Sequence, residues 1–324
     1  MVSCFPFLLR WVIRWWQGST ILPLAIDAVA HQDRVVALAI SVLYRGCAIP
    51  VAWHIVPAQT QGAWMPHILG LLDHLAPAIP AAWQTLVVVD RGLWSPTLWQ
   101  DLRQRKLHPL VRIADGVAVR PAGHTRTVRP ADLVSQPGQA WVGQAEVFGA
   151  EARPVATLLV VWGEGHQERW VLLTDLRPAE VATRWDGLRM WIALGFRALK
   201  SLGWQWQRTR RDEPERVARH WLVLAVATLW VVGCGTRDAD AEQLGTTPDR
   251  IRVPPKAPTP EATSTAWSLF ARGWSSARRQ VGHGRIWKRL WLRPSKLPEP
   301  YPGIKMTVHR NPLPDILLER YIPL

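Results

Sequence analysis

Two aspartates each end a run of apolar residues. Asp27 closes the run ILPLAID, and Asp90 closes the run TLVVVD. Two carboxylates on adjacent strands of a sheet can share a hard divalent cation, and phosphoryl-transfer enzymes use such pairs to hold Mg²⁺ against a scissile phosphate. Considered singly, each Asp is better explained as an ordinary residue at a strand end that caps the following turn than as a metal ligand. The elements around them therefore decide whether they can form a pair.

Those elements predict a sheet with helices between some of its strands. From Thr20 to Pro57, short runs of β-forming residues alternate with turn residues, which predicts three adjacent strands. Met65 to Ala76 has helical spacing, and the continuous apolar run Thr85 to Asp90 is typical of a strand buried on both faces. A Ser-Pro pair opens a helix from Ser95 to about Lys106, and a strand follows over 110–114. This β-β-β-α-β-α-β order predicts an RNase H-like core.

The second half of the chain changes character several times. Helical periodicity disappears between Asp115 and Asp175, where WVGQAEVF, VATLLVVW and RWVLLTD predict strands of a β-rich insertion. A helical pattern resumes at Pro178 and runs with breaks to Val232. Five prolines between Thr246 and Thr263 indicate a linker or an extended arm. The stretch from Arg272 to Lys296 then carries eight basic residues, no acidic residue and three tryptophans.

Charge points to a polyanionic partner. The formal net charge is +14 and the isoelectric point is about 10.8, which favours binding by phosphate neutralisation and counterion release. Nucleic acid is the leading candidate. A membrane surface is the competing polyanion, but the longest apolar run, Trp221 to Gly233, is shorter than the roughly 20 residues that span a bilayer. We interpret that run as a buried helix.

Several other classes of protein have no support in the sequence. Met1 to Trp16 has arginines among its apolar residues and lacks the order of a signal peptide. Three widely separated cysteines predict neither a disulfide framework nor a zinc site, and they fit a reducing cytoplasm. No Cys/His metal pattern, P-loop or G-x-S-x-G motif occurs. ATP use and serine hydrolase chemistry are therefore not predicted.

Three separated motifs resemble the IS4-type DDE transposases of bacterial insertion sequences. They are TILPLAIDAV followed by ISVLYRGCAIPVAWH, then VVVDRGLWSPTLWQDL, and then DGLRMWIALGFRALKSLGW. The third matches the frame of the family's Y-x2-R-x3-E-x6-K helix, which places Arg189 and Lys200 at the Arg and Lys positions. The resemblance covers roughly residues 20 to 235. It implies that Asp27 and Asp90 bind Mg²⁺, for which Mn²⁺ can substitute, and that Arg189 and Lys200 contact DNA phosphates.

Two positions depart from the family pattern. Asp186 stands where the family has Tyr, and Ala193 stands where it has the Glu that completes the metal site. Asp186 cannot replace that Glu directly, because it lies seven residues earlier and about 10 Å away along a helix axis at 1.5 Å per residue. The resemblance therefore implies a metal site with two protein carboxylates and impaired DNA cleavage.

Basic and aromatic residues near the third motif suit contact with DNA. The segment from Arg197, near the end of the third motif, to Arg211 contains five basic residues and no acidic residue. The basic residues are Arg197, Lys200, Arg208, Arg210 and Arg211. Trp204 and Trp206 lie among them, and cationic and aromatic side chains together suit phosphate contacts and base stacking. Trp94 is a candidate for stacking on an unpaired base, although a role in the core is the alternative. A solvated helix face is the alternative for the basic run.

The predicted fold class is α/β, with an RNase H-like mixed sheet flanked by helices and a β-rich insertion before the third catalytic helix. The predicted segments are an N-terminal remnant at 1–20, the first part of the core at 21–113, the insertion at 114–175, the helical second part of the core at 176–235, and a Pro-rich linker with a basic tail at 236–324.

Two functions remain open, with a third as a more distant alternative. The first is a transposase that acts as a homodimer on double-stranded DNA at terminal inverted repeats and target sites, in the cytoplasm at the nucleoid. The second is a non-catalytic DNA-binding remnant. Ala193, Asp186 and the presence of only 26 residues before Asp27 favour the remnant for this chain. A basic protein of the membrane surface would require all three motifs to be coincidental.

Overall fold

A computed structural model gives the fold of most of the chain. It describes residues 2–59, 64–147, 155–164, 167–182, 185, 187–200, 203–243, 269–283, 290–294 and, for the backbone, 307–311.

The first half of the chain alternates strands and helices as the sequence predicts. Its elements are α1 (Phe5–Trp15), β1 (Ile21–His31), β2 (Val35–Tyr44), β3 (Cys47–Pro57), α2 (Met65–Leu75), β4 (Gln84–Val89), α3 (Pro96–Gln104) and β5 (His108–Ile113). The predicted cap of α3 is present, because the Ser95 hydroxyl accepts a hydrogen bond from the backbone N–H of Leu98 at 3.1 Å. Helix α1 was not predicted from the sequence.

The second half contains the predicted β-rich region and then helices. Its elements are β6 (Val119–Pro121), α4 (Pro130–Leu133), β7 (Gln139–Val147), β8 (Val155–Trp162), β9 (Trp170–Thr174), α5 (Leu188–Leu199), α6 (Pro214–Gln243), α7 (Leu269–Gly282) and β10 (Thr307–Asn311). Helix α6 runs beyond residue 235, where the sequence analysis ended the helical part of the core. The division into segments otherwise remains a prediction.

One mixed sheet joins both halves. The described strands follow the order β10-β7-β8-β9-β5-β4-β1-β2-β3, and β6 pairs with β7 beside this path. Strand β1 pairs antiparallel with β2 and parallel with β4, and β4 pairs parallel with β5. The order β3-β2-β1-β4-β5 is that of an RNase H-like core. The predicted fold class is therefore confirmed, and the inserted strands extend the core sheet because β9 pairs antiparallel with β5.

Alternate residues of the central strands pack on opposite faces of the sheet. On one face, Leu24 and Ile26 belong to the larger core, which includes residues of α1, α2, α3 and α6. On the other face, Ala25 and Val88 pack in a smaller core with Leu188 and other residues of α5. Helix α5 is thus the cover of one face, and this face is where the predicted carboxylates lie.

Helix α5 lies very close to strand β3. A Cβ atom added to Gly195 would be 2.3 Å from the Cβ atom of Ala48. The buried residues of this helix are Leu188, Ile192, Gly195 and Leu199. Their spacing of three to four residues places them along one stripe that packs on the sheet. Residues beside this stripe, such as Arg189, reach the sheet edge, and residues opposite it face solvent.

Helix α6 is the one described helix that is long and apolar enough to span a membrane by length and composition. It contains the run Trp221 to Gly233 that the sequence analysis assigned to a buried helix. Trp221, Leu229 and Val232 are buried against the larger core. The Trp53 indole N–H also donates a hydrogen bond to the backbone carbonyl of Ala218 at 3.0 Å. Buried core helices of soluble proteins have the same length and composition.

The N-terminal helix is part of the core. Phe5 and Leu9 of α1 are fully buried, and Phe5 packs edge-to-face on Trp53 of β3. Burying an apolar side chain of this size stabilises a fold by about 1.5–3 kcal/mol. Residues 1–20, interpreted from the sequence as a remnant, therefore contain a helix that contributes to the stability of the sheet.

Candidate active site

Asp27 and Asp90 lie next to each other on parallel neighbouring strands. The register between β1 and β4 pairs Ile26 with Val89. Asp27 and Asp90 are the residues that directly follow these two. Neighbouring strands are about 4.8 Å apart. Asp27 lies inside β1 and not at its end, because the strand continues to His31. Asp90 directly follows β4 in an extended conformation.

Alternation along the strands directs both carboxylates toward α5. Asp27 follows Ala25 by two residues, and Asp90 follows Val88 by two residues. Both apolar residues belong to the core under α5. Since every second residue of a strand shares a face, the two aspartates form a polar edge beside this small core.

Helix α5 and the residue that follows it supply cations to this edge. The Arg189 Nη2 atom donates a hydrogen bond to the Asp90 Oδ2 atom at 2.5 Å. The charges of Arg189 and Lys200 both act on Asp27. The third sequence motif is thus placed against the first two, and the structure brings together four of the predicted site residues: Asp27, Asp90, Arg189 and Lys200.

The two carboxyl groups are shifted in opposite directions. Burial raises the pKa of Asp27, and the neighbouring Asp90 charge raises it further, while a hydrogen bond from the Ala28 backbone N–H and the charges of Arg189 and Lys200 oppose the rise. Burial also acts to raise the pKa of Asp90. The hydrogen bonds from Arg189 and from the Arg91 backbone N–H outweigh it, and the pKa of Asp90 is lowered. One carboxylate is held ionised, and the other accepts a proton more readily than a free Asp.

Ala193 lies on the same side of α5 as the two cations. It comes one turn after Arg189 and about two turns before Lys200, and it is exposed. No side-chain oxygen stands at this position between them. Asp186, at the position of the family's Tyr, lies outside the described residues.

Two aligned carboxylates are the kind of oxygen donors that Mg²⁺ takes in proteins, and a dication would relieve the repulsion that raises the pKa of Asp27. Asp27 and Asp90 therefore fit such an ion and can supply two of its ligands. Within the described part of the chain, no group of three or more His, Cys, Asp or Glu side chains could hold a metal ion. The third protein ligand expected from the family pattern is not among them.

The remaining predicted DNA-binding residues lie on the surface. Arg197 of α5 is exposed, and so are the three arginines between α5 and α6, which are Arg208, Arg210 and Arg211. Their segment is anchored to β1, since His31 Nε2 and the backbone carbonyl oxygen of Gln207 are 3.1 Å apart. The basic run thus follows the helix of the candidate site directly, and its contact with DNA remains a prediction.

The Trp94 side chain packs against other residues of the protein. It is partly buried against the larger core, and its ring packs edge-to-face on Trp99 of α3 at 6.0 Å. These contacts correspond to the core role that the sequence analysis kept as an alternative. Stacking of Trp94 on a DNA base remains a prediction.

Two residues of this edge were not found by sequence reasoning. Arg112 of β5 follows Leu110 by two residues, and Trp170 of β9 precedes Leu172 by two residues; both leucines belong to the core under α5. The Arg112 guanidinium lies 4.6 Å from the centre of the Trp170 ring, and the Arg189 guanidinium lies 5.8 Å from it. A lone charged residue in the apolar strand run LVRIA was the only signal in the sequence.

The class of protein follows from a family comparison, with which the mixed sheet and the paired carboxylates are consistent. The chain matches the family described as Transposase DDE domain over residues 39–230. This region covers more than half of the chain, and the chain therefore belongs to the DDE transposase family. The matched region includes Asp90 and all of α5 and begins after Asp27.

Among solved structures, one similar chain comes from a cryo-EM structure of a piggyBac transposase synaptic complex with hairpin DNA. The sequences are 12% identical and the TM-score is 0.38. The similarity covers 70% of the present chain and 49% of that chain, so this chain spans about half the length of that transposase. No curated protein matches the chain.

Proposed function

We propose that this protein is the transposase of an IS4-type bacterial insertion sequence, acting on double-stranded DNA at the terminal inverted repeats and at target sites. The observation that carries the proposal is the alignment of Asp27 and Asp90 on the neighbouring parallel strands β1 and β4. The RNase H-like core, the excess of positive charge and membership of the DDE family support it.

The reaction has two steps of phosphoryl transfer. In cleavage, a water oxygen forms a bond to the phosphorus at the element's end, the bond to the 3′ oxygen breaks, and a free 3′-hydroxyl remains on the element. In strand transfer, this hydroxyl attacks a phosphorus of the target DNA and displaces a target 3′ oxygen. Bound Mg²⁺ would activate the nucleophile and stabilise the leaving oxygen. Asp27 and Asp90 would hold it, while Arg189 and Lys200 bind and orient the phosphate.

The ligands present at the site of Asp27 and Asp90 favour impaired DNA cleavage by this chain. Mg²⁺ needs near-ideal octahedral oxygen coordination, and with two carboxylates it would depend on more water ligands and be held less firmly. Ala193 is the reason, since it occupies the family's Glu position. Action in the cytoplasm at the nucleoid and dimerisation on DNA are parts of the same proposal.

A second candidate function is a DNA-binding protein that occupies transposon ends without cutting them. The ion pair between Arg189 and Asp90 favours it, because a guanidinium already neutralises one of the two carboxylates. Such a protein could also pair with an intact copy of the transposase.

A nicking assay separates the two functions. The protein is incubated with flanking genomic DNA that contains the element's ends, with Mg²⁺, with Mn²⁺ or with a chelator, and the variants Asp27→Ala and Asp90→Ala serve as controls. Metal-dependent nicks that both variants abolish would establish the transposase. Binding to the ends without nicks under any condition would establish the non-catalytic protein.

A further inference from the structure

Helix α1 presents a stripe of aromatic side chains outside the core. Phe7, Trp11 and Trp15 follow one another at intervals of four residues and therefore lie along one side of the helix. Phe7 is 66% exposed and Trp11 is 37% exposed, and the Trp11 and Trp15 rings pack edge-to-face at 5.6 Å. Phe5 and Leu9 belong to the larger core, whereas Phe7 and Trp11 are left outside it.

Helix α6 continues this stripe. A Cβ atom added to Gly233 would be 2.9 Å from the Trp15 ring, so Trp15 lies directly on α6. Trp230, Val226 and Val223 come three, seven and ten residues before that glycine, a spacing that places them on one side of the helix. Val223 is 64% exposed, and the other two are partly exposed. The outer apolar surface consists of these six residues: Phe7, Trp11, Trp15, Val223, Val226 and Trp230.

Two cations border the outer apolar surface on α1. Arg10 and Arg14 are exposed and four residues apart, so they lie side by side on the helix. The Arg10 guanidinium lies 5.6 Å from the centre of the Phe7 ring. Within the part of the chain that the structure describes, neither arginine has an acidic partner. Exposed apolar patches with a polar rim mark sites of interaction, and aromatic and arginine side chains are enriched at protein interfaces. The surface therefore suits an apolar partner with negative charge.

Residues 312–324, which lie outside the described residues, have the complementary composition. Their sequence PLPDILLERYIPL contains apolar residues around two acids, Asp315 and Glu319, and one base, Arg320. The acids are four positions apart, as are the two arginines of α1. The chain as a whole has 39 basic and 25 acidic residues, whereas this segment has more acidic than basic residues. Its composition thus matches both the apolar side chains and the charges of the surface.

The segment of the same copy does not reach this surface. Strand β10 ends at Asn311 at one edge of the sheet, and α1 packs on β3 at the other edge. Eight steps between neighbouring strands, of about 4.8 Å each, separate these edges by roughly 38 Å. The eight residues from Asn311 to Glu319 span at most about 29 Å when fully extended. Two outer apolar surfaces do not suit each other either, because their arginines would repel.

We propose that residues 312–324 of a second copy bind the outer apolar surface. Asp315 and Glu319 of that copy then face the two arginines of α1. The exchange is reciprocal, since each copy offers one surface and one segment, and it produces a dimer with two identical contacts. The inference goes beyond the proposed function, because these contacts involve neither DNA nor the carboxylates of the candidate active site.

Sedimentation velocity without DNA, over a range of protein concentrations, measures this association. The unmodified protein is expected to form a dimer. Phe7→Ser on the surface and Leu317→Asp in the segment should each weaken the dimer about tenfold or more, because each removes an apolar contact of the interface. Val281→Ser is the matched control, since Val281 of α7 is 65% exposed and lies outside the surface. Arg14→Glu replaces Phe7→Ser if that variant does not fold.

A mixture of two variants tests whether the contact is made between copies. Phe7→Ser keeps an intact segment and Leu317→Asp keeps an intact surface, so a mixed dimer can form one of the two contacts. The mixture should therefore associate more strongly than either variant alone, and an equally weak mixture would contradict the exchange. A labelled peptide of residues 312–324 should bind the Leu317→Asp protein and not the Phe7→Ser protein.

Other occupants of the surface would give different results. An unmodified protein that stays monomeric, or a dimer that Phe7→Ser leaves unchanged, would overturn the inference. Binding to phosphatidylserine vesicles that Phe7→Ser abolishes, without binding of the peptide, would assign the surface to a membrane and would also overturn it. The proposed function has a separate measurement, because the nicking assay depends on Asp27 and Asp90. An exchange dimer that never nicks DNA would contradict the catalytic function alone.

Discussion

The Nη2 atom of Arg189 lies 2.5 Å from the Oδ2 atom of Asp90, across 99 positions of the chain. A charge-assisted hydrogen bond of this kind is stronger than a bond between neutral groups. It joins the second and third sequence motifs directly. Under the proposed function, a DNA phosphate bound by Arg189 would compete with Asp90 for the same guanidinium.

Removing the cation of Arg189 or of Lys200 should weaken DNA binding and reduce its dependence on salt. Arg189→Ala and Lys200→Ala are each expected to reduce the slope of log affinity against log salt by roughly 0.9. Fluorescence anisotropy of a labelled end duplex at several salt concentrations measures it. Arg177→Ala is the control, because Arg177 is exposed and pairs with Glu180 beyond the other end of β9. A slope equal to that of the unmodified protein would mean that Arg189 and Lys200 do not contact phosphate.

Restoring the missing carboxylate should restore cleavage. Ala193→Glu is expected to increase metal-dependent nicking about tenfold or more, which corresponds to about 1.4 kcal/mol of transition-state stabilisation. Adding Asp186→Tyr should increase it further, because an aspartate repels the phosphate that the family's Tyr contacts. All variants are compared on one end substrate that each of them binds. Rapid nicking by the unmodified protein would show that another group supplies the third ligand.

Neutralising Asp27 should stabilise the fold at neutral pH. Because burial and the neighbouring Asp90 raise the pKa of Asp27, its contribution to stability is present below the ordinary pKa of Asp and is lost as the pH rises through the raised value. Asp27→Asn should therefore raise the melting temperature near pH 7 by roughly 2–4 °C for each 1 kcal/mol gained. The gain should disappear in acid, where the carboxyl is protonated. Thermal unfolding over a pH series measures it, and an equal gain at all pH values would contradict the electrostatic explanation.

A close helix crossing should make Gly273 sensitive to substitution. A Cβ atom at Gly273 of α7 would lie 1.8 Å from the backbone carbonyl oxygen of Val231 in α6. Gly273→Ala should therefore destabilise the protein by about 1–3 kcal/mol through overpacking. Gly282→Ala in the same helix is the control, because nothing lies within 4 Å of its added Cβ. Denaturant unfolding gives both values, and equal stability of the two variants would contradict the crossing.

The pair formed by His108 and Asp175 should make stability fall above neutral pH. Their Nδ1 and Oδ1 atoms are 3.1 Å apart, and this hydrogen bond with the charge of Asp175 raises the pKa of His108 above its ordinary value of 6.5. The stabilisation is complete below the ordinary pKa and is lost as the pH rises through the raised one. Melting temperatures between about pH 6 and pH 8.5 should therefore fall, and His108→Gln should reduce the fall. His124 is exposed, and His124→Gln should leave the dependence of the melting temperature on pH unchanged. If His124→Gln reduced the fall as much as His108→Gln does, the assignment to His108 would be contradicted.

Local features of the sequence were enough to place most of the elements and the two carboxylates. The apolar runs before Asp27 and Asp90 predict buried strands, because a short continuous run of apolar side chains favours burial on both faces. Ser95 and Pro96 specify the start of α3 for an equally local reason, since a cap bonds to a backbone group three residues away. The spacing of Arg189 and Lys200 within one motif placed Arg189 on the helix of the site and Lys200 at its C-terminal end.

The tertiary structure decided which residues share the edge with the carboxylates. Arg112 and Trp170 lie 58 positions apart and meet because β5 and β9 pair antiparallel, so their contact depends on sheet order and register. The role of α1 was equally hidden, since its partner Trp53 lies on the third strand. The basic tail is a further case: Arg293 is 3.5 Å from Asp240 of α6, so part of its charge is neutralised within the protein. A residue's type sets the chemistry it can do, whereas its neighbours across strands and helices are set by distant parts of the chain.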